Sequence, residues 1–390
     1  MQPIDPIAIA RRRFAVRLSV FYAATFAITG AYTPFFPLWL KASGLDPSWI
    51  AIVLAMPTAA RLTAVPAVTR FAERHQAVVP AILITSILAA AGFAVLAAMP
   101  GALSIALLLL VTACAWTPTL PLTDAYALRG VAAHEVDYGP IRLWGSVAYI
   151  AGVMVTGFVA AVVPQAHLIW VIVAITALSA ASALALEPLP ARATPIGARA
   201  ASPGLIRQKG FIAIVAAAAL IQSSHSAYYG FSSIAWQAQG FSSTTIAMLW
   251  SLCVVAEVVL FAYSPRLGLA PSTWLILGGA GAALRWAVTG FEPPLALLVA
   301  VQPLHALSFG ATLLGTMGSL ARRVPGHLLA SAQGVLTATG SVVSAVATIL
   351  CGRLFDAYGD AIYFGMAAMA AAGALVMLTT RGAVEEESLE

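Results

Sequence analysis

The sequence predicts an all-α integral membrane protein of twelve transmembrane helices, arranged as two pseudo-symmetric six-helix bundles. Three observations lead to that fold class. First, the 390 residues are 61% hydrophobic and only 9% charged, with a mean hydropathy of +0.92. A soluble domain carries roughly 25% charged residues, so this chain has too little polar surface to cover a soluble core. Second, apolar runs long enough to cross a bilayer as helices recur twelve times. Third, the two halves of the chain repeat each other.

The runs lie near 14–40, 47–70, 77–99, 102–128, 140–163, 166–186, 209–236, 243–264, 272–290, 294–320, 328–354 and 359–380. The first follows a basic triplet at 11–13. It is too long for a signal-peptide core and lacks a small-residue cleavage site, so it reads as a retained span. The sixth and seventh runs flank the longest break, EPLPARATPIGARAASPGLIRQKG. That stretch is rich in Pro, Ala and Arg and has no apolar periodicity. The chain therefore divides into an N-terminal bundle (1–186), a cytoplasmic linker (187–208) and a C-terminal bundle (209–390) ending in a short cytoplasmic tail.

Basic residues set the orientation. With the N-terminus cytoplasmic, fifteen of the twenty Lys and Arg residues fall on the cytoplasmic side and two, Lys41 and Arg353, on the other. The remaining three, Arg61, Arg142 and Arg285, lie inside spans. That bias places both chain ends inside. The net charge of +5 serves this topology, and no basic cluster is interleaved with aromatics as in a nucleic-acid binder.

The repeat is read by laying AYTPFFPLWLKASGLDPSWIA (31–51) over AYYGFSSIAWQAQGFSSTTIA (227–247). The offset of 196 needs no gap and matches Tyr32 with Tyr228, Phe35 with Phe231 and Gly44 with Gly240. Carried further, it sets Arg61 over Glu257, two intramembrane charges of opposite sign. Paired six-helix repeats are a transporter architecture with the substrate site near the midplane.

Ionisable residues inside spans are costly and mark function by default. Here they are Arg61, Asp124, Arg142, Glu257, Arg285, His225 and His305. Asp124 and Arg142 are 18 apart around the loop centred on Ala133, which sets both about 13 Å deep at 1.5 Å per residue; at equal depth they can pair. Arg285 and His305 are 20 apart around position 295 and share a depth of roughly 15 Å. His305 lies beside Gln302 in QPLHALSFG. Each of these residues also has a structural reading: a static pair for Asp124 and Arg142, snorkelling for Arg61, simple packing for His225. Removal from water favours a neutral carboxyl, and a nearby arginine favours the ionised form. Glu257 is thus the candidate proton site. Tyr32, Phe36, Tyr228 and Tyr229 are candidates to stack on a ligand, or to pack. The three cysteines, Cys114, Cys253 and Cys351, fall in apolar runs and read as small buried hydrophobes.

No GxxxxGK[ST], HExxH or GxSxG occurs, so neither an ATP-driven pump nor these hydrolytic chemistries are indicated. No metal site or cofactor is expected, and the protein does not read as an enzyme.

Several stretches together, PLTDAYAL, YGPIRLWGSVAYIAG, WSLCVVAEVVLF, LRW at 284–286, LHALSFGA and GRLFDAYG, resemble the major facilitator superfamily over nearly the full length. Within it the chain is similar to the phenylpropionate permease group, related to lactose permease and nucleoside–proton symporters. The resemblance implies that Asp124 and Arg142 bind substrate, that Glu257 couples substrate to proton, and that His305 stands where the family has ionisable residues on the tenth helix. The family's loop signature after the second helix appears here as TRFAERH, without its glycines and with Glu73 in place of Asp.

Three buried arginines against two acids favour an anionic solute, and arginine grips a carboxylate bidentately. The expected function is proton-coupled import of a small aromatic or hydrophobic monocarboxylate through the inner membrane. Substrate ligands would come from Asp124, Arg142, Arg61, Arg285, Tyr32, Phe36, Tyr228 and Gln302, and proton coupling from Glu257 and His305. The expected partners are the solute, protons and the lipid bilayer, with the monomer as the working unit. Three other readings stay open: a sugar or nucleoside symporter, a drug or metabolite exporter, and a non-transporting receptor.

Overall fold

A computed structural model of the chain describes residues 6–189 and 207–386. Most of the expected linker, 187–208, lies outside the described residues, as does the end of the expected tail.

Twelve membrane-length helical segments follow one another among the described residues. The first six are α1 (Pro6–Ala42), α2 (Pro47–Arg74), α3 (Val78–Leu96), α4 (Ala102–His134), α5 (Tyr138–Val162) and α6 (Ile169–Ala183). The second six are α7 (Lys209–Ala238), α8 (Ser243–Leu267), α9 (Pro271–Thr289), α10 (Leu295–Arg323), α11 (Leu329–Tyr358) and α12 (Ile362–Thr379). A short helix, α13 (Arg381–Glu386), ends the described chain. Of the twelve, α9 is the one whose composition alone would not mark it as a span, because it carries Arg285 and the glycines of LILGGAGAA.

Two segments depart from the plain runs that hydropathy implies. α7 breaks at Ser224 and His225 into Lys209–Ser223 and Ser226–Ala238. α10 is α-helical over Leu295–Val301, 3-10 over Gln302–Leu304 and a π-helix over Ala306–Ala311 before resuming at Thr312. Pro303 is the cause in the sequence: it has no N–H for the preceding turn and its ring crowds the carbonyl four residues back. The wide turn that follows re-aims the side chains after it, and such segments recur at functional sites.

The chain forms two compact units. One holds α1 to α6 with Phe241–Ala247, and the other holds α7 to Gly240 and the chain from Met248 onward. Within the first, α5 turns Leu143, Val147, Val155, Phe158 and Val162 outward, an apolar stripe of the kind a bilayer requires. α7 is the contrast: 78% of its most apolar window is buried against 28% for α5, so it forms the core of its own unit.

The repeat is visible in the backbone of each unit. Gly44 ends α1 with φ +85° and Gly240 ends α7 with φ +88°. Both turns need the left-handed region that only glycine enters freely. At the same offset, Ala31 with Ala227 and Phe35 with Phe231 are core positions, one of each pair in each unit.

Candidate functional site

Each unit carries an arginine centre built from side chains at helical spacing. In the first unit, Tyr22 and Phe26 stand four apart on α1, and Tyr138 and Arg142 four apart on α5, so each pair shares a helix face. Tyr22 is buried and its hydroxyl donates to Asp124 Oδ1 on α4 at 2.6 Å. The same hydroxyl lies 3.3 Å from that of Tyr138. Arg142 bends over the ring of Phe26, with its guanidinium carbon 4.1 Å from the ring centre and 5.6 Å from that of Tyr22. Gly145 makes that pose possible: a Cβ there would meet Arg142 Nη1 and Phe26 Cδ2, each at 2.9 Å.

The expected direct pairing of Asp124 with Arg142 is not found in this arrangement. The equal depth brings them to one place, but Tyr22 occupies the carboxylate and aromatic faces take the guanidinium. Among the described residues no ion pair or hydrogen bond is found on the Arg142 guanidinium, which is half-buried.

In the second unit, Trp250, Cys253 and Glu257 share a face of α8, and α9 presents Arg285. Arg285 is fully buried. Its Nη2 donates to Gln302 Oε1 at 2.6 Å and approaches Cys253 Sγ at 3.3 Å. Its Nη1 lies 3.0 Å from His305 Nδ1. The guanidinium carbon sits 4.3 Å from the centre of the Tyr228 ring and 4.5 Å from that of Trp286. On the far side of the imidazole, His305 Nε2 is 3.7 Å from Glu257 Oε2. That is beyond a hydrogen bond but within ion-pair reach, and the carboxylate is 18% exposed.

Aromatic rings wall this centre. Tyr228, Trp250 and Trp286 are buried, while Tyr229 and Phe309 are half-buried. The rings of His305 and Phe309, four residues apart through the π-helix, stack at 5.5 Å. The break in α7 is used as well: His225 Nδ1 meets Gln222 O at 3.1 Å and its Nε2 meets Ser308 Oγ at 3.0 Å. Ser224 Oγ accepts from Trp286 Nε1 at 2.9 Å.

The structure thus brings Glu257, His305, Arg285, Gln302 and Tyr228 together, and Asp124 and Arg142 together around Tyr22. Arg61 stands apart: it is exposed on α2, outside both centres, rather than buried. Tyr32 and Phe36 stack on each other at 4.5 Å and pack with Trp39, Trp116 and Phe93 in a separate cluster. Cys253 is not a plain apolar filler, since its Sγ lies 3.1 Å from Gln302 Oε1 and 3.3 Å from the Tyr228 hydroxyl. Sequence reasoning missed Tyr22, Phe26, Tyr138, Trp250, Trp286 and Phe309. The four-residue steps Tyr22–Phe26 and Tyr138–Arg142, and the Trp250–Cys253–Glu257 face, were signals that could have found several of them.

Residues 15–366 match the MFS_1 like family. The chain is 34% identical over 374 residues to the probable 3-phenylpropionic acid transporter of Escherichia coli (strain K12), covering 90% of this chain and 94% of that one. It is 24% identical over 368 residues to the maltose permease of Geobacillus stearothermophilus, covering 92% of each. Among solved structures, the nucleoside transporter NupG superposes with a TM-score of 0.78 at 15% identity, over 94% of this chain and 99% of that one. The xylose transporter XylE from E. coli does so with 0.71 at 11%, over 95% and 96%. At these identities the structural likeness concerns the fold alone.

Proposed function

The chain belongs to the MFS_1 like family, and from that premise we propose that it imports a small aromatic or hydrophobic monocarboxylate together with a proton. It is a multi-pass secondary transporter of the inner membrane, not an enzyme. The observation that carries the substrate reading is the state of Arg142. Its guanidinium rests on aromatic faces with no carboxylate from the described residues upon it, so its paired N–H groups are available to an incoming one. A cation–π contact is worth about 0.5–2 kcal/mol, which a charge-assisted bidentate pair can replace. The named substrate of the E. coli relative, an aromatic acid, agrees with this chemistry.

Proton coupling is supported by the second centre. Among the described residues, Glu257 is the carboxylate set against the His305 ring. Loading a proton there removes a negative charge across the His305 ring from Arg285 and leaves the site more receptive to an anion. The solute and its proton then cross as the two bundles, 1–186 and 209–390, expose the site alternately to each side. In this reading both chain ends are cytoplasmic, as the basic-residue bias requires, and one chain suffices.

A second reading has its own observation. Asp124 with the Tyr22 and Tyr138 hydroxyls is also a set that could hold sugar or nucleoside hydroxyls, and a maltose permease is among the relatives.

The test is uptake by purified protein in liposomes under an inward proton gradient, with labelled phenylpropionate, a glycoside and a nucleoside compared. Gradient-driven uptake of the acid alone is expected, with Glu257→Gln losing accumulation. Uptake of the glycoside or nucleoside instead would transfer the site to the second reading.

A further inference from the structure

The chemistry of the second centre restricts where its proton can sit. Arginine only donates, so His305 Nδ1, 3.0 Å from Arg285 Nη1, must accept and carries no hydrogen. A neutral imidazole then holds its proton on Nε2, the nitrogen that faces Glu257 at 3.7 Å. An imidazolium would need a hydrogen on Nδ1, pointed at a guanidinium N–H. While Arg285 keeps this pose, His305 stays neutral and Glu257 is left to take up the proton.

What keeps Arg285 in this pose is a neutral acceptor. Gln302 Oε1 accepts from Nη2 at 2.6 Å, and the same oxygen lies 3.1 Å from Cys253 Sγ. Gln302 is itself 1% exposed, buried behind the guanidinium in the 3-10 turn that Pro303 creates. An amide holds the arginine without cancelling its charge, so the charge still acts on His305 and Glu257. We propose that Gln302 is a positioning residue and not a substrate ligand: it holds Arg285 so that His305 is kept neutral with its proton on Nε2. The inference rests on the reading of Glu257 as the proton site. Among the described residues, the other polar or titratable groups around the pair include His225, Tyr228 and Tyr229 from α7, Cys253 from α8, Ser308 from α10 and Tyr363 from α12.

Two substitutions of similar size push the centre in opposite directions. Gln302→Leu takes the acceptor from Nη2 and releases Arg285, so His305 can become an imidazolium facing Glu257. Gln302→Glu places a carboxylate on Arg285 and cancels its charge at the pair. The pH profile of proton-driven uptake is expected to move down by about one unit in the first and up by about one unit in the second. A purely structural role would lower the rate in both and move neither profile. Nitrogen NMR of histidine-labelled protein, assigned with His305→Asn, reads the tautomer without any solute. The wild type is expected to show the Nε2-protonated neutral ring from about pH 5 to 8, and Gln302→Leu an imidazolium at the acid end. An imidazolium or an Nδ1-protonated ring in the wild type overturns the inference, as do profiles that stay put or shift alike. Absence of proton-driven uptake in the wild type would instead overturn the transport reading, with the tautomer still measurable.

Discussion

Arg142 and Arg285 are the same side chain in two states of commitment. Arg142, in the first unit, is half-buried and lies on Phe26 and Tyr22 with no oxygen acceptor on its guanidinium among the described residues. Arg285, in the second, is fully enclosed, with Gln302, Cys253 and His305 around its terminal nitrogens. Aromatic faces hold a cation loosely and without fixed direction, whereas an amide oxygen and an imidazole nitrogen hold it at set angles. The first arrangement suits a group that must exchange partners, and the second a fixed charge that sets the protonation of its neighbours.

The comparison breaks most directly by removing each arginine in turn. Arg142→Gln is expected to cut uptake by about a hundredfold, the scale of a lost charge-assisted contact, while the thermal melt in detergent stays close to wild type. Arg285→Gln is expected to cost about 3 kcal/mol of stability, as breaking a buried charged network does, and to lower the melt visibly. Equal losses of stability in both would remove the distinction.

A smaller effect sharpens the first centre. Gly145→Ala puts a Cβ where Arg142 Nη1 and Phe26 now meet. The guanidinium must leave its aromatic seat, and KM for the solute is expected to rise about tenfold, or 1.4 kcal/mol, at little cost in protein yield. An unchanged KM would show that the seat is irrelevant to binding.

Tyr22→Phe removes the donor to Asp124 Oδ1. The carboxylate then lacks its short hydrogen bond, a loss of about 1–2 kcal/mol, and becomes available to Arg142. Denaturation curves measure the first part. Weaker uptake of the acid, because Arg142 is now paired, measures the second.

The smallest effect lies outside both centres, at the first turn of α9, where α13 docks on its unit. Ser272 Oγ donates to Glu385 Oε1 at 2.5 Å, and Arg381 Nε lies 2.9 Å from the same oxygen. First Ser272 and then Arg381 hold the Glu385 carboxyl below its ordinary range. A carboxyl held low supports docking above that range and loses the contribution as pH falls through its lowered value. Ser272→Ala is expected to bring the acid loosening of α13 to a higher pH, read by proteolysis of the chain end, with no change at either arginine.

Much of this was legible in the chain. Twelve spans, the repeat through Gly44 and Gly240, and the shared depth of Arg285 and His305 follow from length and spacing. The direct Asp124–Arg142 pair did not follow, because equal depth fixes height and not the rotation of each helix about its axis. Rotation is what puts Tyr22 on Asp124 and leaves Arg61 exposed. Nor could apolarity reveal that Cys253 faces a guanidinium, since a thiol in an apolar run reads the same on either face of α8.

By itself the sequence determined the membrane fold, its doubled plan and the short set of charges placed within the spans. Those follow from one-dimensional constraints, the thickness of a bilayer and the cost of a charge inside it. Only the tertiary structure decided which of those charges are free and which are held. Partnership depends on helix phase, and Pro303 resets that phase within α10, bringing His305 between Arg285 and Glu257.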